Sequence, residues 1–392
     1  MNKEETSNVL VHVSNRHVLA ELPTSYGKTK IALDRMANLL DSKDAKILIV
    51  VPRLVLIDTW KDEIAKWKYD KFLGCIEFVT YMSFPKKSGI YDLIIFDEVH
   101  HLSARCREAI GNYIFTYSIL LSATVGRDLK AMLPALFPNL YVCRISTKAA
   151  IQEEVLPDPR VYLIPLRLDD KRLSCEIIKN KSQKNELRIP FHDRFKYGKV
   201  KNRKIIISCT QQQYYNEISS MIEWCKKRTF SQVFKNMFLR KSGERLDWLS
   251  EQKTQFVKNI LSDSLQDQRT LTFCNGIAQT EKLGKYCVNS RNKESEKNLE
   301  MFNEGKVNHI TACDMLNEGV NLVNCRVGVY AALNSSNRLI TQKLGRLLRH
   351  PNPVIIIPYY VNTRDEEIVS KMLENYNPEL VTTVTNSNQL IL

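Results

Sequence analysis

The sequence predicts an α/β protein of two lobes, each a parallel sheet flanked by helices, with a basic, mostly helical insertion at the start of the second lobe. Three observations lead there. Short apolar runs bounded by turn residues alternate with segments of helical period over the first 150 residues, and again from Arg269 onward. At 392 residues the chain exceeds what one ordinary core holds. The net charge of +14 is also unevenly spread. Residues 171–250 hold 19 Lys/Arg against 7 Asp/Glu, whereas residues 1–170 hold 22 against 21 and residues 251–392 hold 16 against 15.

In chain order, Val18–Leu22 is a short strand-like run that enters the loop Pro23–Thr29. Ile31, Leu33, Met36, Leu39 and Leu40 then recur at helical spacing. Ile47–Val51, closed by Pro52, reads as a strand buried on both faces. Leu56–Trp67 reads as a helix with Ile57, Trp60, Ile64 and Trp67 on one side. Leu93–Phe96 and Ile119–Leu121 are two more buried strands, each ending in polar residues. Asp158-Pro159 marks the linker, so the expected lobes are residues 1–157 and 158–392, with the insertion at 171–250. Val161–Leu166 opens the second lobe. From Lys171 to about Lys204 the pattern dissolves into polar, basic sequence, and Tyr214–Leu261 is helical with an interruption near Ser242-Gly243. Strands return at Leu271–Cys274, Ile310–Ala312, Val327–Ala332 and Val354–Ile357, with a helix at Leu339–Leu348 before the last. Alternating strands and helices imply right-handed crossovers and ligands at the carboxyl edge of each sheet.

No apolar run approaches the roughly 18 residues of a membrane span. The N-terminal Met1–Glu5 lacks a signal-peptide layout. Ten cysteines show no Cys-x-x-Cys pair, so neither a disulfide framework nor zinc is expected, and the reading is a cytoplasmic protein with no membrane partner.

Two segments carry chemistry. Pro23-Thr24-Ser25-Tyr26-Gly27-Lys28-Thr29, between a strand and a helix N-terminus, can wrap N–H groups around phosphates. Lys28 would reach the β- and γ-phosphates, Thr29 would ligate Mg²⁺, and Gly27 permits close approach. Leu22 stands where the strict phosphate-loop pattern has its first Gly. Leu93–Phe96 ends in Asp97-Glu98-Val99-His100. A buried strand has no structural reason to finish on two acids, because uncompensated charge is expensive there. An Asp at this place holds Mg²⁺, and its neighbour Glu98 can activate water.

Together with Leu121-Ser122-Ala123-Thr124, these segments resemble motifs I, II and III of the superfamily 2 helicases and translocases. Val50-Val51-Pro52-Arg53 resembles motif Ia, Val79-Thr80-Tyr81 motif Ib, and Thr270–Asn275 motif IV. Thr311–Asn321 resembles motif V and Gln342–Arg349 motif VI. Eight motifs in order over roughly residues 16–360 cover most of the chain. The leucine before Pro23, the Asp-Glu-x-His-His run and the Trp60 region are most similar to the DNA-translocating branch. That branch includes restriction-enzyme translocating subunits, phage branched-DNA helicases and transcription-repair helicases.

The resemblance implies two RecA-like lobes with ATP and Mg²⁺ between them. It implies that Pro23 to Thr29, Gly319 and Asn321 bind ATP, and that Thr29 and Asp97 hold the metal. Glu98, Gln342, Arg346 and Arg349 would be catalytic, the arginines acting as fingers from the second lobe. A helix-terminal arginine favouring its own dipole is the alternative for Arg349. His100, Ser122 and Thr124 would couple the nucleotide site to the nucleic-acid groove; a hydrogen-bonded structural histidine and helix capping are the alternatives. Nucleic-acid contacts are implied at Pro52, Arg53, Thr80, Cys274, Asn275 and Thr311, through amides and hydroxyls that carry no sequence information. In the insertion, Lys199, Lys201, Arg203 and Lys204 would add a salt-sensitive grip. Phe191, Phe195 and Tyr197 either stack on bases or anchor the insertion. Two departures stand out: Ser25 occupies a usual Gly position, and Asn321 a usual Asp position.

The expected function is thus an ATP-dependent DNA helicase or translocase. The alternatives are an RNA helicase and a nucleotide-gated binding scaffold that does not move. A monomer is expected, and a nuclease or a replication or recombination protein is a conceivable partner.

Overall fold

The computed structural model describes residues 2–41, 44–196, 200, 202–313, 322–334, 347, 349–374 and 376–391. A first sheet uses β1 (His17–Glu21), β2 (Ile47–Val51), β3 (Ile76–Thr80), β4 (Gly89–Phe96), β5 (Tyr113–Ser122) and β6 (Tyr141–Arg144). Its order is β3-β2-β4-β5-β1-β6, with every pairing parallel. All five residues of β2 are buried, as its unbroken Ile/Leu/Val run requires. Helices α1 (Lys3–His12), α2 (Lys28–Leu39) and α3 (Val55–Lys66) cover this sheet, and α4 (Ala104–Ala109), α5 (Arg127–Leu136) and α6 (Thr147–Gln152) follow β4, β5 and β6. The α3 stripe Leu56, Trp60 and Ile64 is buried. Arg35 of α2, almost fully buried, donates to the carbonyls of Leu10, Val11, Val13 and Asn15, which ties α1 to α2.

A second parallel sheet contains β7 (Arg160–Leu166), β11 (Thr270–Phe273), β12 (Cys287–Val288), β13 (His309–Ala312), β14 (Val327–Tyr330), β15 (Val354–Tyr360) and β16 (Val381–Thr383). The order is β12-β13-β11-β14-β15-β7-β16. These two α/β sheets are the two RecA-like lobes. No helix among the described residues is long and apolar enough to cross a membrane.

The middle segment differs from the expectation of mostly helix. The polar stretch after Lys171 folds as a three-stranded sheet of β8 (Cys175–Lys179), β9 (Glu186–Pro190) and β10 (Lys204–Cys209), in the order β8-β10-β9. Ile189, Ile205 and Ile207 pack on one side against Ile177 and Leu187, and the central β10 also buries Ile206 on the other. Charged residues occupy the other side, including the cross-strand pairs Arg188–Glu176 (2.8 Å) and Lys204–Glu186 (2.6 Å). The outer strands β8 and β9 are only five residues long, mix charged with apolar residues and stay largely exposed or half-buried, which is easily mistaken for loop. Two helices follow, α7 (Gln211–Lys226) and α8 (Gln232–Asp263). The expected break at Ser242-Gly243 is absent: α8 runs through it, and the chain turns at 227–231 instead. One exposed glycine costs a helix only about 1 kcal/mol, which packing of α8 on α7 and on the second lobe outweighs. The predicted helix Leu339–Leu348 lies almost wholly outside the described residues.

Candidate functional site

In the first sheet β5 separates β1 from β4. The loop after β1, the acids after β4 and the Ser-Ala-Thr turn after β5 therefore meet at one carboxyl edge. Leu22 N–H donates to Ser122 O at 3.0 Å, which fixes the loop against the β5 terminus. Within the loop Ser25 and Gly27 are left-handed, with φ of 70° and 100°. Ser25 therefore adopts, at a steric cost, the conformation that a glycine takes freely. Lys28 Nζ donates to the carbonyls of Leu22 (3.1 Å) and Pro23 (3.4 Å). The N-terminus of α2 has no side-chain cap, and the buried Thr24 hydroxyl has no hydrogen-bond partner among the described residues. An uncapped helix N-terminus, an orphaned hydroxyl and an ammonium on one loop fit a polyphosphate.

Two loop residues serve the loop more than a ligand. Tyr26 is fully buried, its hydroxyl donates to Thr6 Oγ1 at 3.1 Å, and its N–H closes a turn on Pro23 O. Pro23 has no N–H to offer, and its carbonyl is spent on Tyr26 and Lys28. In this state both are engaged within the loop, and their expected contacts with ATP rest on the resemblance.

Asp97 follows β4. Trp60 Nε1–H donates to its Oδ2 at 2.9 Å and the Tyr81 hydroxyl to its carbonyl at 2.9 Å. Desolvation, then the adjacent Glu98 charge, push the Asp97 carboxyl up to about 6, while Trp60 and Lys28 act in the opposite direction. An oxygen ligand held in this way, with the Thr29 hydroxyl in the first turn of α2, suits a hard divalent cation. Glu98 is itself left-handed (φ 50°, ψ 59°), a strained turn for a residue with a side chain. Its Oε2 lies 3.2 Å from His100 Nδ1 and 3.4 Å from Ser122 Oγ. Ser122 has one hydroxyl proton, and its shortest acceptor is Thr124 O at 2.8 Å. His100 is then the donor, its Nδ1–H shared between Ser122 Oγ (3.0 Å) and Glu98. Glu98, His100, Ser122 and Thr124 thus form one network.

From the other lobe, Arg349 Nε donates to Ser25 Oγ at 3.3 Å. This contact brings the second lobe onto the phosphate loop of the first. Gln342, Arg346, Gly319, Asn321, Lys199 and Lys201 lie outside the described residues, as does Tyr197.

The expected nucleic-acid contacts divide. Pro52, Arg53 and Thr80 lie together at the carboxyl ends of β2 and β3, and Asn275 just beyond β11. Cys274 and Thr311 differ from these. Cys274 is buried with its N–H donating to Ala312 O at 2.8 Å, and Thr311 is buried with its hydroxyl donating to Thr280 O at 3.0 Å. Both are thus engaged within the second sheet, and their expected phosphate contacts rest on the resemblance. Arg203 is exposed, whereas Lys204 is engaged with Glu186.

Glu21 and Trp60's bond to Asp97 escaped the sequence reading. Buried Glu21 accepts from Val125 N–H (3.2 Å) and Lys130 Nζ (2.6 Å), with Arg144 at 3.5 Å, and so ties β1 to the segment after β5. The argument that singled out Asp97-Glu98, an acid ending a buried strand, applies equally to Glu21.

The family described as "Type III restriction enzyme, res subunit" matches residues 2–83, and "Helicase conserved C-terminal domain" matches residues 252–351. DNA 3'-5' translocase XPB2 of Sulfurisphaera tokodaii is 23% identical over 353 residues, covering 84% of this chain and 74% of that protein. Saccharomyces cerevisiae Dbp5 bound to RNA and ADP BeF3 superposes with a TM-score of 0.59 at 12% identity, over 98% of this chain and 89% of that one. A fragment of a putative HsdR subunit of a type I restriction enzyme from Vibrio vulnificus YJ016 gives 0.58 at 16%, over 98% and 68%. The two structural likenesses carry the fold, and the two family matches fall on successive lobes. With the translocase relative, these two matches make the chain similar to the superfamily 2 helicases and translocases, enzymes that hydrolyse ATP.

Proposed function

We propose that the protein is an Mg²⁺-assisted ATPase of the Asp-Glu-x-His type that translocates along or remodels DNA. The observation that carries this is the contact of Arg349 with Ser25, which joins the second lobe to the phosphate loop beside Glu98. MgATP, when bound, supplies the transferable phosphoryl group and a cation that neutralises its charge. The N–H groups of the loop and the first turn of α2 cradle the phosphates. Lys28 exchanges the Leu22 and Pro23 carbonyls for phosphate oxygens, and Asp97 with Thr29 holds the cation. Glu98 accepts the proton of the attacking water at its carboxylate, which His100 orients. Arg349, with Arg346, offsets charge developing on the transferred group.

DNA as the track is supported by the S. tokodaii relative, described as a DNA translocase, and by the basic middle segment. The test is ATPase activity with single-stranded, duplex and branched DNA and with RNA, each over a salt series. DNA is expected to stimulate hydrolysis. Lys28→Ala and Glu98→Gln are each expected to lower stimulated turnover at least a hundredfold. Full activity in either variant overturns the site, and stimulation by RNA alone overturns the choice of track.

A further inference from the structure

Between Trp224 and Lys241 the chain carries six Lys/Arg and no Asp/Glu. This stretch is the apex of the hairpin formed by α7 and α8. Glu223 and Glu244 at its margins pair with Lys226 (3.7 Å) and Lys241 (2.7 Å). Lys227, Arg228, Lys235 and Arg240 have no acidic partner among the described residues. The same apex is aromatic. Phe230, in the turn, is 89% exposed, and Trp224 is 46% exposed. Trp224 is held edge-on by Phe234 (centroids 5.1 Å apart) and covered on one side by the Arg228 guanidinium at 4.5 Å. Phe230 is not alone: with Trp224 it leaves a pair of exposed aromatic rings at a basic apex.

A second such cluster lies along the same helix. Arg194 is stacked on Phe191 (3.9 Å) and Phe195 (4.1 Å), and its Nε bonds Glu217 of α7 at 3.2 Å. Phe195 is 73% exposed. Glu217, Met221 and Trp224 follow at i, i+4 and i+7, so they share one face, and Arg228 continues it. The two aromatic–cation clusters are therefore the ends of one stripe. From 217 to 228 it runs about 16 Å, the length of about five stacked nucleotides.

We infer that this outer face of α7, from Phe195 to Phe230, is a track for a single strand of nucleic acid. Its bases stack on Phe195, Trp224 and Phe230, and its phosphates lie along Lys227, Arg228 and Lys235. Charge complementarity selects a polyanion, and exposed ring faces select unpaired bases over a duplex, whose bases are already stacked. The inference rests on the nucleic-acid reading above.

The test uses the full chain with a short labelled oligodeoxythymidine, the matching oligouridine and a blunt duplex, each over a salt series. In the double variant Trp224→Ala/Phe230→Ala, affinity for the single strand is expected to fall at least fivefold. The salt slope, the duplex affinity and the ATPase rate without nucleic acid should hold, and that rate doubles as the check on folding. Trp224→Phe should keep the affinity and lose the quenching of tryptophan fluorescence. Either single strand losing affinity in the double variant supports the track. Unchanged affinity for both, with DNA still stimulating the wild type, overturns the track alone and leaves the face for a protein partner. Equal loss on duplex and single strand also overturns it. If no nucleic acid binds or stimulates the wild type, the track and the proposed function fall together.

Discussion

Asp97 is placed where burial and a neighbouring carboxylate both oppose its charge, so it weakens the fold at the point proposed for a cation. Its carboxyl titrates near 6 in the folded chain against an ordinary value of 3.8. The folded state therefore binds this proton more tightly than the unfolded chain. The resulting cost is absent below the ordinary value, grows between the two, and is full above about 6. Asp97→Asn keeps an oxygen for Trp60 and removes the charge. Its thermal midpoint without nucleotide should exceed that of wild type at about pH 8 and exceed it less at about pH 5, with ATPase activity lost. A variant less stable than wild type at both values would contradict this account. Ser25 shows where the sequence was informative: its departure from glycine raised the question of a positive φ, and the structure places it at 70°. The acids after β4 were legible because charge at the end of an apolar run has few explanations. The burial of Cys274 and Thr311 was not legible, because a strand's last residues look alike whether they face the groove or the core.

Among the elements, α8 is anchored by one buried pair. Lys253 and Asp365, 0% and 1% exposed, meet at 2.9 Å, and Asp365 also accepts from Tyr360 N–H. Removing one partner leaves a buried charge, so Lys253→Met should cost about 3–5 kcal/mol of stability. Adding Asp365→Asn should recover part of it, as read from thermal or urea unfolding. Gly328 in β14 is a second constraint: a Cβ there would lie 2.1 Å from Leu347 Cδ1, two residues before Arg349. Gly328→Ala should cost about 1–3 kcal/mol by overpacking and lower ATPase turnover by displacing that segment. Unchanged turnover would dissociate the packing from the site. The strands β2, β7 and β15 were readable because burial on both faces demands unbroken apolar runs. The sheet of β8, β9 and β10 was not, since its short outer strands mix charged with apolar residues and stay largely exposed or half-buried.

At the scale of the molecule, the two lobes are nearly neutral and the middle segment carries the excess charge. Part of that excess is internally balanced, because Lys204 is bound to Glu186 while Arg203 is exposed. Arg203→Ala should therefore flatten the salt dependence of DNA binding, by about 0.9 in logarithmic slope for one phosphate contact, and Lys204→Ala by less. Equal effects would show that the Glu186 pair opens on binding. Charge counting located the segment, but the pairing that decides which charges remain available is a property of the folded sheet.

The 32-residue α8 also has a mechanical consequence. Its buried residues lie from Leu249 to Leu261, with Lys253 clamped to Asp365, so this end is embedded in the second lobe. The stretch from Gln232 to Trp248 projects from that mounting with α7 packed along it. A beam of 17 residues is about 25 Å long, so each degree of lobe rotation carries its tip through about 0.4 Å. The helix is thus a lever with its fulcrum in the motor. Small angular strokes at the nucleotide cleft become ångström-scale travel at Phe230.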